Sequence, residues 1–149
     1  MHRHTLILRA LLVVALATAG EARAANCKIS GATAIAFTAY DVFAPTGQQL
    51  RGTISYDCAP PASPRLTISA GASGNASSRF MAQQPGASHL LYNVYTDAGC
   101  TSVFSDQLAQ AVPGIGLHNQ TMDFYTCVPP LQDVPAGSYA DTLTVTDNF

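Results

Sequence analysis

The sequence predicts an all-β protein, a single antiparallel β-sandwich built from six or so short strands. Three observations carry this expectation. Apolar residues recur at every second position rather than at helical spacing. Clusters of Pro, Gly and Ser interrupt these runs at short intervals. Charge is scarce: of 149 residues, 48% are hydrophobic and 11% charged, against a globular norm of about 25% charged. That balance excludes a disordered chain, which pairs low hydrophobicity with high net charge. It also excludes a charged helical bundle. A formal net charge of −2, with Lys28 as the one lysine, leaves no basic footprint for nucleic acid.

The first 24 residues read as an export signal rather than as part of the fold. Arg3 and Arg9 precede an apolar run from Ala10 to Gly20, too short for the ~20 residues of a membrane span. Ala22-Arg23-Ala24 then supplies a small-x-small cleavage site, so residues 1–24 are expected to leave and residues 25–149 to fold. A retained N-terminal anchor is the alternative. Asn26 stands where lipidation of Cys27 requires a small residue, and no later segment is long and apolar enough to cross a bilayer. The folding part carries Lys28, Arg51, Arg65 and Arg79 against eight Asp. Export places its four cysteines in oxidising surroundings, where two disulfides are expected. The cysteines are separated by 31, 42 and 27 residues with no C-x-x-C, which fits no zinc pattern and leaves three pairings open.

The first strand runs from Cys27 through Ile29, Gly31, Thr33 and Ile35 to Phe37, alternate positions forming one buried face. Gly52 to Cys58 alternates Ile54, Tyr56 and Cys58 inward. Pro60, Pro61 and Pro64 then turn the chain into Arg65–Ser69, followed by a Gly/Ala/Ser loop over 70–78. Leu90–Thr96 is β-prone on both faces, as in a central strand. Ser105–Val112 competes for a helix of at most two turns, with an N-cap Ser and a stop at Pro113. Asn119–Cys127 and Ser138–Thr146 complete the set. Before the last strand, Pro135-Ala-Gly-Ser-Tyr139 places a Gly two residues ahead of a Tyr. This is similar to the tyrosine corner of immunoglobulin-like sandwiches, with a plain Gly turn as the alternative.

Catalytic chemistry finds no foothold. His89 and His118 sit in polar, turn-like contexts, and no G-x-S-x-G elbow occurs. No Glu follows the signal, so paired-carboxylate hydrolysis has little support. Asn75 and Asn119 open formal glycosylation sequons. No catalytic residue, metal ligand or cofactor site is expected, and the protein is not expected to be an enzyme.

Several ordered blocks resemble the spore coat protein U domain, which also serves as the subunit of archaic chaperone–usher pili. The most specific is the ending, Val134-Pro-Ala-Gly-Ser-Tyr-Ala-Asp-Thr-Leu-Thr-Val-Thr-Asp-Asn-Phe149. Leu91-Tyr-Asn-Val-Tyr-Thr-Asp97 is similar to the family's central block. Phe37-Thr-Ala-Tyr-Asp41, Gly52–Cys58 and Arg79-Phe-Met81 follow its order. The chain departs at Thr38, where the family has Gly, at Val103-Phe-Ser-Asp106 and at Tyr125-Thr-Cys127. Cys27 and Cys58 match the family's first two cysteines, while Cys100 and Cys127 fall outside its pattern. The resemblance therefore implies the pairs Cys27–Cys58 and Cys100–Cys127.

The resemblance also implies an immunoglobulin-like sandwich that is incomplete and lacks its last strand, since the run through Leu143 and Val145 ends just before Phe149. Such a subunit is completed by a strand from another chain. A periplasmic chaperone supplies it first and a neighbouring subunit later, at an outer-membrane usher. Ile29, Ile35, Phe37, Leu143 and Val145 are expected to line that groove. The expected function is a surface pilus or coat subunit in attachment and biofilm formation, exported through the periplasm without stable membrane insertion. Only Ala25 and Asn26 would precede Cys27 after cleavage, about 7 Å of chain, so a position at the pilus tip is expected. The alternative is a self-contained secreted β-sandwich that binds a carbohydrate or protein ligand. Tyr40, Val42 and Phe43, in the loop over 39–50, are expected to plug the core, with contact to an outside surface as their second reading.

Overall fold

The computed structural model describes residues 27–58, 65–105, 110–111 and 119–148. The expected export signal, His118, the expected Pro60–Pro64 turn and residues 106–109 and 112 of the expected helix lie outside the described residues. Among the described residues nine strands form: β1 (Cys27–Ala32), β2 (Gln48–Cys58), β3 (Arg65–Ile68), β4 (Arg79–Gln84), β5 (His89–Tyr95), β6 (Gln110–Ala111), β7 (Gln120–Val128), β8 (Ser138–Ala140) and β9 (Val145–Asn148). They make a six-stranded sheet in the order β1-β2-β7-β5-β4-β8 and a three-stranded sheet in the order β6-β3-β9. Every pairing is antiparallel. The fold is the all-β, immunoglobulin-like sandwich.

Alternation sets the core. Ile54, Tyr56 and Cys58 of β2 point inward together with Leu90, Tyr92 and Val94 of β5 and Phe124 and Val128 of β7. Leu66 and Ile68 of β3 meet them from the second sheet. Burial of each large side chain stabilises by about 1.5–3 kcal/mol, so the longest, most regular strands hold the sandwich together. β2 is longer than expected because Gln48–Arg51 finds a full ladder against Tyr125–Val128 of β7. Within that ladder Gly52 faces Phe124, whose ring covers the glycine where a side chain would stand.

Three expectations are corrected. β1 stops at Ala32 rather than Phe37; its pairing with β2 slips between Ile29 and Gly31, resumes at Gly31 and Ala32, and goes no further. Past that point the backbone of Thr33 still donates to Thr53 O (2.9 Å), but the ladder ends there. Gln110 and Ala111, read as the end of a short helix, instead form β6 against Arg65 and Leu66. Two ladder partners on β3 outweigh a weak local helix preference. The single last strand over 138–146 divides: β8 pairs with β4 in the large sheet and β9 with β3 in the small one. The chain crosses between sheets at Asp141–Thr144, as strands do at sandwich corners.

Asp141 fixes that crossing. Its carboxylate accepts the hydroxyl of Tyr92 (2.6 Å) and the backbone N–H groups of Ala72 (2.9 Å) and Thr142 (2.8 Å). Burial first, and then the neighbouring carboxylate, hold the Tyr92 hydroxyl far above its usual range. Just upstream, the Tyr139 hydroxyl donates to Pro135 O at 2.7 Å, the hydrogen bond of a tyrosine corner.

Candidate functional site

The region with most to offer another molecule is the flank where β1 and β9 run close together. Each is an edge strand, β1 of the large sheet and β9 of the small one. An edge strand leaves alternate backbone N–H and C=O groups free to pair. β1 is fastened to β2 through Cys27–Cys58, directly opposed in the ladder with Cα atoms 4.2 Å apart. The second disulfide, Cys100–Cys127, ties the loop after β5 to β7. In that loop Asp97 accepts the N–H groups of Ser102 (2.7 Å) and Thr101, and these bonds hold its carboxyl below the usual range.

The five residues expected to line a groove are placed as follows. Ile29 lies on β1, opposite buried Tyr56. Ile35 and Phe37 follow β1, outside any ladder. Leu143 precedes β9 and Val145 opens it, paired to Ile68. All five are half-buried against the core rather than sealed within it.

Two features went unnoticed in the sequence. Arg79, read only within a family block, is fully buried at the start of β4. Its guanidinium donates to Ser69 O, Ala76 O, Ile68 O, Phe104 O and Asn93 Oδ1 at 2.6–3.0 Å. These acceptors belong to both sheets and to two loops, so one side chain pins them together. Asn93, a polar residue in the apolar run of β5, was the signal for such a partner. The second feature is Asp147, in β9 opposite fully buried Leu66. Both its carboxylate oxygens are buried and, among the described residues, meet no hydrogen-bond donor.

The remaining candidates separate clearly. Tyr40 plugs the end of the sandwich, its hydroxyl donating to Pro129 O (2.8 Å) and accepting from Gln132 N–H (2.9 Å). Phe43 does not plug anything; it is 85% exposed. His89 is exposed and stacks on Phe80, ring centroids 3.7 Å apart. Among the described residues, no three His, Cys, Asp or Glu side chains converge as metal ligands. No helix among them is long and apolar enough to cross a membrane.

The model of the Spore Coat Protein U domain matches residues 13–146, most of the chain. The chain belongs to the spore coat protein U domain family. Among solved structures, this family member is similar to the CsuC–CsuE chaperone–tip adhesion subunit pre-assembly complex from archaic chaperone–usher Csu pili of Acinetobacter baumannii. The match has a TM-score of 0.57 at 19% identity and covers 83% of this chain. It spans 39% of the other chain, well under half its length. At that identity the likeness establishes the shared fold. Among curated proteins, none matches.

Proposed function

We propose that this spore coat U domain is a structural subunit of a chaperone–usher surface pilus, and that a strand from another chain completes it at the β1–β9 flank. The observation that carries this reading is the paired open edge. Among the described residues β9 has β3 on one side only, and Ile29, Ile35, Phe37, Leu143 and Val145 stay half-buried against the core. A strand laid along β9 would take up the free backbone groups and cover those side chains, as in strand-addition recognition. The family and the likeness to a chaperone–subunit complex support it. The partners are then a periplasmic chaperone, an outer-membrane usher and a neighbouring subunit, with export and surface attachment following from the route. Cleavage after Ala24 would leave no donor segment ahead of Cys27 and place the subunit at a fibre end. Mass spectrometry of the secreted N-terminus tests that finer point.

The main test is periplasmic expression of the full chain with and without a fused C-terminal strand of alternating Val and Thr. The unfused chain is expected to aggregate or be degraded, and the fused one to accumulate as a soluble monomer. A soluble, cooperatively folding unfused monomer would contradict the proposal and favour a self-contained secreted sandwich.

A further inference from the structure

Resting on the strand-completion reading, we propose that the incoming strand carries a Lys or Arg directed at Asp147, so that charge as well as shape selects the donor. The alternation through the last segment makes Leu143, Val145 and Asp147 half-buried and Thr142, Thr144 and Thr146 exposed. Asp147 therefore occupies an inward register that its two predecessors fill with apolar side chains. Directly opposed residues of an antiparallel pair share a face, and Asp147 is opposed to Leu66, which has no exposed surface. Its carboxylate thus points to the apolar side of β9, where both oxygens are buried without a donor. A buried carboxylate is expensive unless it is paired.

Among the described residues, the nearby cations do not meet the need. Arg65 neighbours Leu66 along β3, and strand alternation sends its side chain to the opposite, exposed face. Lys28 on β1 is exposed, in register with Asp57 of β2. Burial raises the proton affinity of Asp147, in keeping with a group that lacks its partner. A strand pairing with the free side of β9 would run beside this carboxylate, and a cationic side chain there would supply both charge and hydrogen bonds.

The test uses the full chain with fused C-terminal strands in which each inward position in turn is Lys or, for comparison, Met. Thermal midpoints are read by circular dichroism. One register is expected at which Lys melts about 3–6 °C above Met, with the gain lost in Asp147→Asn. In Asp147→Leu the preference should reverse in favour of Met. Superiority of Met at every register would overturn the proposal, showing that Asp147 is satisfied by a proton instead. A Lys gain that survives both substitutions would also overturn it. If Met strands rescue the protein and no Lys register gains, the charge inference alone fails. If no fused strand improves on the unfused chain, strand completion fails and takes this inference with it.

Discussion

Replacing Arg79 with Met keeps a side chain of similar length and removes every hydrogen bond of the guanidinium. Four of those bonds are fully buried: to Ala76 O, Asn93 Oδ1, Ile68 O and Phe104 O. A buried acceptor left without a partner costs about 1–3 kcal/mol. Asn93 Oδ1 keeps the N–H of Val94 (2.8 Å), so at the low end of that range the three carbonyls together amount to about 3 kcal/mol, and breaking a buried charged network is typically of order 3–5 kcal/mol. Since a small domain has about 5–15 kcal/mol in all, Arg79→Met should remove much of the stability. The assay is urea unfolding of the strand-fused protein with disulfides intact. With a slope of about 1–3 kcal/mol per molar urea, the midpoint should fall by roughly 2 M. Arg79→Lys should recover only part of it, because three donors on a flexible stem cannot span acceptors on both sheets. A loss under about 1 kcal/mol for Arg79→Met would refute the reasoning, showing that water or rearranged backbone satisfies the acceptors. Phe43→Ala, at an exposed position, should change the midpoint little.

Replacing Cys27 and Cys58 together with Ser should destabilise by about 3–4 kcal/mol, from the loop closed by a separation of 31 residues; urea unfolding checks it. Gly52→Ala would drive a methyl group into the ring of Phe124, and overpacking of this kind costs about 1–3 kcal/mol, read as a lower melting point. Asp147 predicts a pH dependence. Its carboxyl is raised above the unfolded value of 3.8 by burial, so the fold binds its proton more tightly than the unfolded chain does. The contribution is complete below pH 3.8 and is lost as pH rises through the raised value. In a protein fused to an apolar strand, Asp147→Asn should therefore be more stable than the parent at pH 7, by about 1 kcal/mol. The advantage should vanish below pH 3.8, as followed by melting across pH.

The strands were legible wherever alternation and ladder coincide. β2, β5 and β7 lie close to their expected positions because each is flanked on both sides in the sheet, so period-2 burial wrote itself into the residues. The errors concentrate where a strand's partner is decided by tertiary packing. Ser138–Thr146 reads as one alternating run, and nothing local shows that Asp141 will turn it from β4 toward β3. The run from Thr33 to Phe37 keeps its apolar alternation, yet Ile35 and Phe37 have no ladder, because no strand among the described residues pairs with them. At the site, the half-buried apolar residues were readable from periodicity. Arg79 and Asp147 were not, because a charged residue in a strand looks solvated until its burial is known.

The central claim is that a strand from another chain pairs with β9. Hydrogen exchange over residues 145–148 tests this most directly, comparing the strand-fused chain with the fraction of the unfused chain that stays soluble at low concentration. In the fused protein the β9 amides that face away from β3 should exchange at least tenfold more slowly, while those of β5, already paired on both sides, should change little. Unchanged exchange in β9, with new protection elsewhere or none, would contradict the account.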